Sequence, residues 1–95
     1  MGINELLKED RQVILALAAK HGVSNVRVFG SVARGMAGPN SDVDFLIDVR
    51  PGTGWKWVDL WDELEELLGR KVDLIPADSL RESIRETVLR EALPL

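Results

Sequence analysis

The sequence predicts a small α/β domain, with a mixed sheet of about three strands packed by helices. Short stretches of strand-like alternation are separated by segments of helical period, and glycine or proline punctuates nearly every junction. Residues 4–21 read as a helix, since Leu6, Leu7, Ile14, Leu17 and Ala18 recur at helical spacing and Gly22 supplies a stop. Val26-Arg27-Val28-Phe29 alternates as a strand does and runs into Gly30-Ser31. A single helical turn follows over residues 32–34 before Gly35, Gly38 and Pro39 break it. Residues 42–49 form the second predicted strand, with Val43, Phe45, Ile47 and Val49 on one face. Asp42, Asp44, Leu46 and Asp48 fall on the other.

After a loop over residues 50–54, residues 55–68 carry the clearest helical stripe: Trp57, Leu60, Trp61, Leu64, Leu67 and Leu68. Gly69 ends it, and residues 71–75 make a third strand closed by Pro76. Asp78 or Ser79 is the expected cap of a last helix reaching about Ala92, with Leu80, Ile84 and Val88 as its spine. No repeat, low-complexity tract or long linker divides the chain, so residues 1–95 are expected to be one domain.

Composition narrows the function classes. The chain is 45% hydrophobic and 29% charged, a globular profile. It has no cysteine, which excludes disulfides and thiolate metal sites. No apolar run approaches a membrane span, and the first residues lack the pattern of a signal peptide, so a cytoplasmic location and no membrane contact are expected. The net charge of -4 argues against an extended nucleic-acid surface, which needs a dense field of Lys and Arg.

Three features bear on chemistry. Gly30-Ser31 ends a strand and opens a turn, where backbone N–H groups suit phosphate; the same pair is also an ordinary strand-to-helix turn with Ser31 as its cap. Asp42-Val43-Asp44 puts two carboxylates on one strand face. Like charges that close call for a divalent cation, and hard oxygen ligands favour Mg²⁺ or Mn²⁺; alternatively the face is simply solvated. Asp73 is centred in an apolar strand, where an ionised side chain is costly to bury without a partner; a core aspartate with a satisfied hydrogen bond is the ordinary reading.

The spacing Gly30-Ser31, ten residues, Asp42-x-Asp44 resembles the signature of the DNA polymerase beta-like nucleotidyltransferase superfamily. Gly30-Ser31-Val32-Ala33-Arg34-Gly35 and Ser41-Asp42-Val43-Asp44 are similar to its minimal members in particular. The resemblance implies an α+β catalytic core, with Asp42, Asp44 and Asp73 as catalytic and metal-binding residues. It also implies Mg²⁺, as two ions, with ATP as substrate and Gly30 and Ser31 holding its terminal phosphates. Short members of this group often act as antitoxins that adenylylate a tyrosine of a HEPN-domain ribonuclease, so a HEPN-type toxin is the implied partner. Arg34 is a candidate for neutralising phosphate charge, against a surface salt bridge. Asp48 is either a fourth ligand or an ion-paired strand end. His21 at a helix end receives no catalytic role. Trp55, off the apolar stripe, is a candidate to cap a nucleobase or, with the loop over residues 50–54, to meet a partner. Since the chain has no tyrosine, a tyrosine acceptor lies on another molecule. Two rival readings stand beside this one: a non-catalytic module that neutralises a partner by contact, and a transferase acting on a small molecule or RNA end.

Overall fold

The computed structural model describes residues 3–35, 38 and 41–95, without the side chains of Ile3, Asn4 and Leu6. Four of the ten residues between Ser31 and Asp42 therefore lie outside the described residues, as do Met1 and Gly2 at the expected leaderless start. The chain runs through α1 (Ile3–Lys20), β1 (Val23–Phe29), β2 (Val43–Val49), α2 (Trp57–Leu68), β3 (Val72–Pro76), α3 (Glu82–Glu91) and β4 (Leu93–Pro94). Single 3-10 turns at Gly54–Lys56 and Ala77–Ser79 lead into α2 and follow β3.

The expected alternation on β2 sets the layering. Val43, Phe45 and Ile47 project to one face with Val26 and Val28 of β1 and Val72 and Leu74 of β3. They meet Leu7, Ile14 and Ala18 of α1 and Leu60, Leu64 and Leu68 of α2 in one core. Phe45, Ile14, Leu60 and Leu64 are fully buried, and each such side chain contributes about 1.5–3 kcal/mol by leaving water. Trp57, Trp61 and Leu67 pack half-buried against the same core, as the stripe on α2 predicts.

The sheet is mixed, in the order β3-β2-β1-β4. β1 is antiparallel to β2, with Phe29 opposite Asp44, and β2 is parallel to β3, with Asp44 beside Asp73. The end of β1 and the starts of β2 and β3 therefore lie at one edge of the molecule. Side chains of α2 hold the start of β3 in place. The Trp61 indole N–H donates to the Val72 carbonyl, and the Val72 N–H donates to Glu65 at 3.0 Å. Both backbone groups of the residue before Asp73 are thus occupied, which also blunts the outer edge of the strand.

Three expectations need correction, and one residue adds a detail. The sheet has a fourth, two-residue strand, β4, where Leu93 and Pro94 pair with Val28 and Arg27. β1 starts at Val23, three residues early, because Ser24 pairs with Asp48 and the irregularity is absorbed in a bulge between Ser24 and Arg27, with Asn25 at φ 50. The last helix begins only at Glu82, since Leu80 and Arg81 are extended; Asp78 and Ser79 sit in the preceding 3-10 turn and do not cap it. Leu46, on the carboxylate face, is fully buried between Arg27 and Ile75 in the register of the sheet.

Candidate active site

Every carboxylate singled out by sequence except Asp48 collects at the edge where β1 ends and β2 and β3 begin. Asp44 and Asp73 are lateral neighbours on two parallel strands, and both are half-buried. Asp42 precedes β2 by one residue and is exposed. Burial pushes the Asp44 carboxyl up from 3.8 to about 6, helped by the hydrogen bond its protonated form donates to Asp73 and by the charges of Asp73 and Asp42; Arg34 opposes the shift. Asp73 is half-buried beside Asp44 and is not one of the fully buried core residues. Among the described residues, no three His, Cys, Asp or Glu side chains close into a metal-sized cage.

Gly30 sits directly against the pair. It has φ 69, the left-handed region that glycine tolerates, and a Cβ there would run into the Asp44 carboxylate. The glycine is thus required twice, once by its backbone and once by Asp44. Residues 31–35 then form one helical turn, in which the Arg34 N–H donates to the Gly30 carbonyl at 3.1 Å. The Ser31 hydroxyl has no hydrogen bond among the described residues, so it is not spent on capping that turn.

Across from this turn lies α3. A cleft of 450 Å³ is lined by Phe29, Gly30, Arg34 and Asp44 on one side and by Ile84, Thr87, Val88 and Glu91 of α3 on the other. The Arg34 guanidinium is 56% exposed and stands 3.9 Å from Glu91, a loose contact that leaves it free to take another partner.

A profile of the family described as nucleotidyltransferase domain matches residues 10–95. The chain belongs to that family. A protein adenylyltransferase named MntA from Thermococcus cleftensis is 44% identical over 78 residues, covering 81% of this chain and 79% of its own. A solved structure described as a minimal nucleotidyltransferase superposes with a TM-score of 0.84 at 47% identity, covering 96% and 94% of the two chains. A toxin–antitoxin crystal structure with AMP-PNP has the same fold, with a TM-score of 0.70 at 21% identity over 90% of this chain and 71% of its own.

Other residues of this nucleotidyltransferase fall outside the cluster. Asp48 is ion-paired: Arg27 reaches it at 2.7 Å and the Asn25 amide at 3.0 Å. Asp48→Asn is therefore expected to keep nucleotidyl transfer while lowering stability by under about 1 kcal/mol, because the aspartate side chain is 47% exposed; melting and transfer assays check this. His21 meets Glu63 at 2.7 Å and ties α1 to α2. Trp55 and the loop over residues 50–54 follow the far end of β2, about 17 Å from Asp44 at ~3.3 Å per strand residue, so Trp55 does not cap a base at the carboxylates. What sequence reasoning missed is the contribution of α3. Nothing in the chain links Thr87 or Glu91 to a cleft wall more than forty residues earlier, and only the tertiary fold brings them there. No helix among the described residues is long and apolar enough to cross a membrane.

Proposed function

We propose that this chain is a cytoplasmic, Mg²⁺-dependent protein adenylyltransferase that moves AMP from ATP to a tyrosine hydroxyl of a HEPN-type toxin and so acts as its antitoxin. The observation that carries the reading is the Asp44–Asp73 carboxyl pair against Gly30, with Asp42 at the same strand end. The adenylyltransferase from T. cleftensis and the nucleotide-containing toxin–antitoxin structure of the same fold support the choice of substrate and partner.

The donor set fits a divalent ion. Asp44 is held partly out of water beside two like charges, a cost that a cation offsets. Mg²⁺ keeps several waters and takes one or two carboxylates together with substrate phosphates, so an open rim suits it better than a closed cage. Asp42, Asp44 and Asp73 would hold two such ions. When bound, Mg²⁺ supplies charge neutralisation and polarisation at the phosphoryl oxygens.

The chain's own groups do the rest. Gly30 and Ser31 hold the terminal phosphates through backbone N–H groups and the unengaged hydroxyl. Arg34 leaves Glu91 to face the phosphates as charge develops on the departing pyrophosphate. The acceptor oxygen bonds to the α-phosphorus, the bond from that phosphorus to the β-phosphate oxygen breaks, and Asp73 takes the hydroxyl proton. Pyrophosphate leaves.

Asp73→Asn tests these roles. It is expected to bind Mg²⁺-ATP through Asp42 and Asp44 yet lose transfer by about 10²-fold or more, since an amide cannot accept the proton. Nucleotide titration and a transfer assay on that one variant check it, and unimpaired transfer would remove Asp73 from the mechanism.

A further inference from the structure

The end of the sheet opposite the carboxylates holds a second, chemically different pocket. It measures 310 Å³ and lies between the end of α1, the loop after β2 and the entry to α2. Lys20, His21, Arg50 and Lys56 line it, and no acidic residue does, although the chain carries 16 acids and a net charge of -4. Lys20, Arg50 and Lys56 make no ion pair among the described residues. Three like charges around one small pocket repel one another until an anion enters.

The floor of this pocket is built rather than loose. The Arg50 N–H donates to the Gly22 carbonyl at 2.9 Å, and the Thr53 hydroxyl donates to the same carbonyl at 3.4 Å. Gly22, at φ 76, has no Cβ, and one would collide with the Thr53 side chain. Because Thr53 is turned to Gly22, the 3-10 turn that opens the following helix has no side-chain cap. Beside the pocket, between Gly54 and Lys56, Trp55 is 82% exposed, an unusual cost for an indole with nothing to cover it.

We propose that this pocket is a second nucleotide site, for a nucleoside monophosphate, separate from the transfer site. The phosphate dianion lies among Lys20, Arg50 and Lys56, where the Arg50 fork gives paired charge-assisted hydrogen bonds. The base stacks on Trp55, a contact any base can make. A longer nucleic acid would need a row of cations beyond the pocket, and the acidic chain does not provide the field for one. The carboxylates of an acidic peptide are singly charged and spread along a backbone, whereas the cations here line one small pocket.

The test is an amide-resolved NMR titration of the full chain with AMP in EDTA, which keeps divalent ions from the carboxylates. The expected result is saturable shifts at the Gly22, Gly52 and Thr53 amides and at the Trp55 indole N–H. Inorganic phosphate should move the amides, spare the indole and compete with AMP. R50A/K56A should keep its dispersed spectrum and bind AMP at least about tenfold more weakly, while Asp44→Asn should bind as the parent does. Shifts that do not saturate, that centre on Gly30 and Asp44, or that persist unchanged in R50A/K56A would overturn the proposal. So would displacement of AMP by a far tighter-binding glutamate-rich peptide or RNA oligonucleotide. Each of these outcomes counts against the second site alone: even shifts centred on Gly30 and Asp44 would leave the adenylyltransferase reading standing, so the two readings stand or fall separately.

Discussion

Replacing Asp44 with asparagine is expected to lower AMP transfer by at least about 10³-fold, because one change removes the central carboxylate of the site and its share of the charge that holds Mg²⁺. The fold should survive, and without metal it should gain. Asp44 titrates at 3.8 when unfolded and at about 6 in the folded chain. Between those values the folded state holds a proton that the unfolded state releases, so wild-type stability without metal falls as pH rises from about 4 to 6. Above 6 the penalty is complete. The asparagine variant carries none of it, so its melting temperature should equal or exceed the parent's at pH 7–8, and the advantage should vanish near pH 4. Adding Mg²⁺ should raise the parent's melting temperature and leave the variant's nearly unmoved. Melting curves at three pH values, with and without Mg²⁺, check all of this.

Gly30→Ala carries the second large effect. Its side chain would meet the Asp44 carboxylate while its backbone is held at φ 69, so either the turn or the aspartate has to shift. The strain costs about 1–2 kcal/mol. Transfer should fall much further, by about 10²-fold, since misplacing a catalytic group by an ångström is enough to do so. The diagnostic control is Gly35→Ala. Gly35 also has a positive φ, 70, but a Cβ there meets nothing within 4 Å among the described residues. That variant should pay a similar backbone strain without the loss of transfer, and equal losses in both would remove the Asp44 contact from the explanation.

What the sequence made legible follows from local periodicity. Alternation on β2 placed Asp42 and Asp44 on one face and Phe45 in the core, and the stripe on α2 was readable in full. The start of β1 was hidden because Ser24 and Asn25 are turn formers by type, yet Ser24 pairs in register with Asp48 and a bulge after it accommodates Asn25. β4 was hidden because two residues have no period at all. At the site, residue types and spacing named Gly30, Asp44 and Asp73. The cross-strand register that sets Asp44 beside Asp73, and the approach that denies Gly30 a Cβ, are tertiary facts. The same holds for Trp55, whose place after the carboxylate-bearing strand hid that β2 carries the chain to the other end of the sheet before the loop begins.

The central claim is transfer of AMP to a separate protein, and intact mass tests it most directly. The chain is mixed with Mg²⁺, ATP and the proposed toxin partner, a HEPN-type protein, and both proteins are weighed before and after. The predicted result is a gain of one or more AMP units on the partner alone, absent with Asp44→Asn and absent when the partner's tyrosines are replaced. No tyrosine exists in this chain to receive the group. A partner of unchanged mass that is nonetheless neutralised, or AMP appearing on this chain instead, would contradict it.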